Sequence, residues 1–370
     1  MKILFVLESY YPNVGGLETL FTSLVNSLAH YGHEITIITN KPSSKLSTGD
    51  VPHNVNIHRY NFRNRYLFTL LAFFPALWYA RKHDLIHTTS YNAAIPAFLA
   101  GTIYRKKVFI TFHEYWGKLW FSLPFFSRIL LWGHYIFEKG LVKIPFDKFI
   151  AVSQHTYDRL EQAGVPAAKI ERIYNGISYD AWKPPKANIK NSNRHLFRFI
   201  YFGRLGISKG LDLLIEAAYL LNRRGALFAL HLVLPIEPKG LFNRVLNLIA
   251  QKELSELITI DHHLPKSILI EKITNADAVV IPSYNEGFCY TAVESVALGM
   301  PVIYTNRGAL PEVVSGKYIV VDKFNAESLA NAMQMAISGN WDKSELKYFY
   351  LADTVNDYIS LYQEFLDSEG

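Results

Sequence analysis

Short apolar, β-branched runs alternate along the chain with longer segments of helical periodicity. Ile3–Leu7, Ile35–Thr39, Val55–Tyr60, Leu85–Thr88, Val108–Thr111, Phe149–Val152 and Ile170–Tyr174 read as buried strands. Between the first two, Leu17, Leu20, Phe21, Leu24, Val25 and Leu28 share one helical face, and Gly32 stands just past its end. Strands that are apolar at consecutive positions are buried on both faces, so with helices between them they predict parallel sheets covered on both sides. The alternation stops at residues 183–195, KPPKANIKNSNRH, whose Pro, Asn and Lys content is linker chemistry. It restarts with Phe197–Phe202, a helix over Leu211–Leu221, and strands at Phe228–Leu234, Leu257–Ile260, Ala278–Ile281, Val302–Thr305 and Tyr318–Val321. A last helix, 352–367, carries Tyr358, Tyr362 and Phe365 at helical spacing.

This pattern predicts an α/β protein of two Rossmann-like, doubly wound domains facing each other across a cleft. The first spans residues 1–185 and the second 196–351, with the helix 352–370 packing back on the first. Ligands of such sheets bind at the carboxyl edges of the strands, so the site is expected between the domains. A length of 370 residues suits two domains, and 50% hydrophobic with 19% charged residues excludes extensive disorder. The lone cysteine, Cys289, excludes an intrachain disulfide framework and points to a reducing cytoplasm. The N-terminal apolar run is stopped at Glu8 and reads as a strand, not a signal peptide. The stretch Leu119–Phe137 is interrupted by Ser122, Pro124, Ser127, Arg128 and His134, which makes it a poor membrane span.

Charge changes the picture. The formal net charge is +6, yet residues 51–150 hold 13 Lys/Arg against 4 Asp/Glu, together with 24 of the 53 Phe, Tyr and Trp. Basic residues interleaved with aromatics suit an anionic surface. Trp116, Trp120, Phe121, Phe125, Phe126 and Trp132, with Lys118 and Arg128, are expected to exceed what a core helix needs and to dip into anionic lipid, the alternative being core packing with solvated charge. No nucleic-acid module accompanies the charge, so nucleic acid is not an expected partner.

Three segments carry candidate chemistry. In SYYPNVGGLETL, Gly15 and Gly16 either let the backbone close on an anion at a helix start or simply make a tight turn. In FIYFGRLGISKGLDLLIEAA, Arg204 and Lys209 fall between a strand end and a helix N-terminus, a place suited to a diphosphate, or else they are solvated loop charges. In VVIPSYNEGFCYTAVESVALGMPVI, Glu286 sits on a turn at a strand edge and Glu294 follows on the next helix. Two such carboxylates suit sugar and ribose hydroxyls, and amides near Tyr290 and Thr291 suit phosphate.

Taken in order, Gly15-Gly16-x-Glu18, the strand-end His113 of ITFHEYWG, AVSQHT, YNGIS, FGRL…SKGLDLLIEA and the Glu-x7-Glu block resemble the retaining glycosyltransferases of GT-B fold. That family includes phosphatidylinositol mannosyltransferase, sucrose synthase and many capsule and O-antigen transferases. The resemblance implies that Glu286 binds the transferred sugar with the Gly287, Phe288 and Cys289 backbone. It implies that Glu294 holds the donor ribose, with Tyr290 and Thr291 opening its helix. Arg204 and Lys209 would neutralise the diphosphate, Gly16 would lie near it, and His113 would contact the sugar at the reaction centre.

Three departures stand out. Cys289 replaces the family's usual glycine. LVLPIEPKG, with Pro235 and Pro238, replaces a glycine-containing loop. TIDHHLPKS, with His262 and His263, stands where the base is usually recognised. The chain has no Asp-x-Asp motif, and the adjacent histidines alone are weak metal ligands, so no metal is expected.

The expected activity is transfer of a hexose from a nucleoside diphosphate sugar to a glycan or lipid-linked acceptor. Retention of configuration and metal independence are part of it, with cell-envelope polysaccharide synthesis as the setting. No cofactor is expected beyond the donor, which is a co-substrate. The expected location is cytoplasmic, peripheral at the inner face of the cell membrane. Rival readings are a sugar phosphorylase or nucleotide-sugar epimerase on the same scaffold, or a non-catalytic nucleotide-sugar-binding subunit.

Overall fold

The apolar runs of the first half pair into one parallel sheet, because side chains above and below each strand are taken out of water together. Its strands are β1 (Lys2–Val6), β2 (Glu34–Asn40), β3 (Val55–Tyr60), β4 (Leu85–Thr89), β5 (Lys107–Phe112), β6 (Lys148–Ala151) and β7 (Ile170–Arg172), in the order β3-β2-β1-β4-β5-β6-β7. A second sheet holds β8 (Phe197–Phe202), β9 (Phe228–Val233), β10 (Ile258–Asp261), β11 (Ala278–Ile281), β12 (Val302–Thr305), β13 (Lys317–Val321) and β14 (Asp342–Lys343), in the order β10-β9-β8-β11-β12-β13-β14. All pairings are parallel except β13 with β14. The structure is a computed structural model and describes residues 1–13, 15–42, 51–123, 127–185 and 196–367. Both sheets are Rossmann-like, as expected from the sequence.

The chain divides into a unit of Met1–Gly176 with Phe349–Gly370 and a unit of Ile177–Tyr348. The polar segment 183–195 therefore lies past the boundary, and its residues 186–195 are outside those described.

Burial follows the reasons given for the strands. Ile3, Leu4, Phe5 and Val6 of β1 are all fully buried, as are Leu20, Phe21, Leu24, Val25 and Leu28 of the helix Gly16–His30. Each such side chain contributes about 1.5–3 kcal/mol by leaving water.

The helix Leu351–Asp367 packs onto the first sheet, and its two buried tyrosines find polar partners there. The Tyr358 hydroxyl bonds Thr111 Oγ1 at 3.1 Å, and the Tyr362 hydroxyl bonds His87 Nδ1. His87 also bonds Thr111 Oγ1 through Nε2 at 2.8 Å. Full burial pushes the His87 pKa down to about 3, so it stays neutral and serves as a hydrogen-bonding core residue.

Candidate functional site

In the second sheet the strand order reverses between β8 and β11, the place where loops leave opposite ways and open a crevice at the carboxyl edge. The loop after β8 passes Gly203, Arg204 and Leu205 into a 3-10 turn, Ile207–Lys209, and then the helix Leu211–Arg223. The loop after β11 runs through Ser283 to Cys289 into the helix Tyr290–Ala297. The two loops are tied by the Tyr284 N–H donating to the Ser208 carbonyl at 2.8 Å.

Lys209 and Glu286 meet across this tie. The ammonium donates to both carboxylate oxygens, at 2.8 and 2.9 Å, and Ser283 Oγ donates to Oε1 at 2.6 Å. Both side chains are largely enclosed, with 17% of Lys209 and 6% of Glu286 exposed. Such a pair persists because extra hydrogen bonds compensate the water lost by each charge. Ser283 is held by Thr305 Oγ1, which donates to its carbonyl at 2.6 Å.

Two glycines make the approach possible. A Cβ on Gly308 would lie 2.1 Å from the Glu286 carbonyl oxygen, and one on Gly210 would lie 1.9 Å from that of Pro282. Both have positive φ, +61° and +68°, where glycine alone is unstrained.

Cys289 has φ 76°, left-handed geometry that is costly for any residue with a Cβ. A glycine there, the residue that the resemblance leads one to expect, would be relaxed at this φ. The thiol is buried and its pKa is pushed well above the ordinary value, chiefly by burial and then by Glu286. Burial and the raised pKa both disfavour its thiolate.

Arg204 is exposed on the loop after β8, and its carbonyl accepts the Tyr201 hydroxyl at 3.2 Å. Glu294 lies one turn into the helix Tyr290–Ala297, mostly enclosed though part of it reaches solvent. Burial pushes its carboxyl up to about 8, opposed by the charge of Lys266. Lys266, at the start of the helix Lys266–Asn275, sits 4.4 Å over the Trp182 ring. The sequence reading missed Ser283, Lys266, Trp182 and Gly308. Only Ser283, three residues before Glu286 in the same motif, was within reach of it.

His113 and Gly16 belong to the first unit. His113 follows β5, Gly16 opens the helix after β1, and Phe21 of that helix packs edge-on to the His113 ring at 6.0 Å. Both therefore stand at the carboxyl edge of the first sheet. Arg204, Lys209, Glu286, Gly287, Phe288, Cys289, Tyr290, Thr291 and Glu294 gather at the carboxyl edge of the second. Of the histidine pair, His262 Nδ1 bonds the Leu234 carbonyl at 2.8 Å. Among the described residues no group of three or more His, Cys, Asp or Glu is placed to hold a metal.

Two strand-edge loops joined by a Lys–Glu pair, at the reversal of strand order in a Rossmann-like sheet, form a polar ligand site. Comparisons give the family. The model "Glycosyltransferase Family 4" matches residues 14–181 and "Glycosyl transferases group 1" matches 183–349. The chain belongs to the GT-B-fold glycosyltransferases that carry the Glu-x7-Glu motif.

It is similar to glycogen synthase of Mycobacterium tuberculosis, 26% identical over 85% of this chain and 80% of that one. It also resembles the O-antigen biosynthesis glycosyltransferase WclY of Escherichia coli, 27% identical over 69% and 70%. Among solved structures, sucrose-phosphate synthase of Thermosynechococcus elongatus superposes with TM-score 0.79 at 20% identity, covering 99% of each chain. Anabaena HepE in complex with UDP-glucose gives 0.71 at 19% identity, covering 100% of each.

The two carboxylates are separable by experiment. Glu294→Gln is expected to weaken binding of the free nucleoside diphosphate, while Glu286→Gln leaves that affinity unchanged and lowers turnover. If Glu294 accepts ribose hydroxyls, wild-type affinity should also rise between pH 6 and 8, because burial holds its carboxyl pKa up at about 8 and the ionised form is the stronger acceptor. Glu294→Gln should flatten that rise. Calorimetry at several pH values checks this, and an equal slope in wild type and Glu294→Gln would remove the ribose assignment.

Proposed function

We propose that the protein is a retaining, metal-independent hexosyltransferase acting in cell-envelope polysaccharide synthesis at the inner face of the membrane. It moves a hexose from a nucleoside diphosphate sugar to a glycan or lipid-linked acceptor. The observation that carries this reading is the Lys209–Glu286 pair, one charge from each of two loops at the reversal of strand order. In this reading Glu286 accepts hydroxyls of the transferred sugar, backed by the turn Gly287, Phe288 and Cys289. Glu294 accepts ribose hydroxyls. Lys209 and Arg204 bind the diphosphate with the amides that open the helices at Tyr290, Thr291 and Gly16, since early helix amides lack partners within the helix.

As the sugar–phosphate bond breaks, negative charge grows on the leaving diphosphate, and fixed cations stabilise it without a metal ion. His113 contacts the sugar at the reaction centre. The acceptor hydroxyl attacks from the face the leaving group vacates and gives its proton to the departing diphosphate, so configuration is kept. Relatives in glycogen and O-antigen synthesis and a HepE structure holding UDP-glucose support a nucleotide-sugar donor and a glycan acceptor.

The test begins with thermal shift against UDP-, GDP- and dTDP-sugars, where ligand a hundredfold above Kd stabilises by about 2.7 kcal/mol. With the donor found, the product's anomeric configuration is read by NMR, and turnover is repeated in EDTA. Retained configuration and full activity in EDTA are expected. An inverted product, or activity lost in EDTA and restored by Mn²⁺, overturns the reading.

A further inference from the structure

Between β3 and β4 the chain forms two helices, Arg65–Leu71 and Phe73–Ala80, joined through Ala72 in helical conformation. Phe68, Ala72, Ala76 and Ala80 recur at i, i+4 and are fully buried. Tyr66, Leu70, Phe74 and Trp78 recur at the same spacing and face outward, 64%, 68%, 65% and 60% exposed. A helix apolar on two sides needs an apolar environment on both. The helix Arg128–Leu141 repeats the arrangement, with Leu131 and Leu141 buried and Ile129, Trp132 and Ile136 exposed at 86%, 54% and 60%.

The charges on the segment that carries these stripes are mostly cationic, and Arg65, which opens the first helix, is paired with Glu8 at 3.4 Å. Residues 51–150 contain four carboxylates, and each is committed. Asp84 accepts the Lys2 N–H, and Glu114 accepts the Trp116 indole N–H. Glu138 is buried, and Asp147 accepts the Val108 N–H and pairs with Lys107. Among the described residues no ion pair engages Arg63, Arg81, Lys82, Arg128, Lys139 or Lys143. The Arg81 guanidinium lies 4.4 Å over Trp78, with its charge at the rim of the stripe.

We propose that this face docks the first unit onto a bilayer containing anionic lipid. The aromatic stripe enters the acyl boundary and the cations lie among the phosphates. The proposal rests on the placement of the enzyme at a membrane surface given above, and names the residues that make the contact. They differ from those expected from the sequence. Trp116 is buried, Trp120 is partly buried and bonds Glu138, and Phe125 and Phe126 lie outside the described residues. Phe121 and Trp132 are exposed as expected.

The test is cosedimentation of the full chain with vesicles of phosphatidylcholine, pure or mixed equally with phosphatidylglycerol, at low and high salt. Wild type should pellet with the anionic vesicles, bind neutral ones at least about tenfold less, and dissociate partly at 1 M salt, where screening shortens to about 3 Å. Phe74→Ser with Trp78→Ser should lose about tenfold or more in binding, with unchanged thermal unfolding and nucleotide binding. If that variant unfolds, the exposed pair Arg81→Glu with Lys82→Glu should show the same loss.

Equal or negligible binding to both vesicle types overturns the proposal. So does a concentration-dependent dimer in sedimentation velocity that the serine variant abolishes, or salt-sensitive binding to RNA without vesicle binding. Vesicle binding without any nucleotide binding would leave the docking face standing and sink the catalytic reading. The converse would sink only the docking face.

Discussion

Lys209→Ala is expected to lower kcat by about 10²–10³-fold, the loss seen when one preorganised charge-stabilising group is removed. The ammonium stands at the loop between β8 and its helix, fixed by two bonds to Glu286, which makes it the preorganised cation of the proposed site. Because that charge is larger in the transition state than in the bound donor, the loss falls on kcat more than on KM. A second effect must be separated from it. Without Lys209, Glu286 is an enclosed carboxylate with Ser283 as its remaining partner in that cluster, and breaking such a pair costs about 3–5 kcal/mol. The double variant Lys209→Ala with Glu286→Gln should recover much of the stability and none of the activity. Arg204→Ala is the cleaner control, because Arg204 is exposed and its loss leaves no buried charge. Steady-state kinetics with thermal unfolding on the same samples decides; a folded Lys209→Ala enzyme with wild-type kcat would end the leaving-group role.

The strands were legible in the sequence because burial on both faces writes an unbroken apolar run. β14 was not. It has two exposed residues, Asp342 and Lys343, and pairs antiparallel with β13 at the sheet's edge, so it leaves no apolar trace. The site divides the same way. Glu286, Lys209 and Arg204 were legible as charges set at strand ends beside glycines. Lys266 and Trp182 were not, because the link between them and Glu294 is made by tertiary packing of distant segments. Cys289 was visible as a departure from the family, but the positive φ that explains it is a backbone property.

The aromatic surface shows a subtler limit. From Tyr66 to Trp78 both helical faces are apolar, so periodicity cannot say which one looks outward. In Trp116 and Trp120 the sequence shows bulk and omits the partner: a buried glutamate at 138, far along the chain, claims the Trp116 backbone and the Trp120 indole.

Removing that glutamate is expected to be among the most destabilising single changes in the first unit. The Glu138 side chain is fully buried and accepts four bonds: from the Trp116 N–H at 2.9 Å, the Gly117 N–H at 2.6 Å, the Trp120 indole at 3.2 Å and the Tyr91 hydroxyl at 2.8 Å. Glu138→Ala leaves these donors without their acceptor, at a cost of about 3–5 kcal/mol, or on the order of 10 °C in that unit's unfolding midpoint. The segment affected directly follows His113, so hydrogen exchange over residues 115–122 should accelerate as well. Glu138→Gln keeps one accepting oxygen and should cost less.

Its penalty should also depend on pH. Burial raises the Glu138 pKa more than its four donors lower it, so the folded value lies above the unfolded one. For an acid this contribution to stability is complete below the unfolded pKa and is lost as pH rises through the folded pKa. The neutral glutamine has no such loss, so its deficit relative to wild type should be largest in acid and shrink towards neutral pH. Denaturant unfolding at a series of pH values measures this. A Glu138→Ala protein within about 1 kcal/mol of wild type would mean that water replaces the carboxylate, and that this glutamate does not hold the loop behind His113.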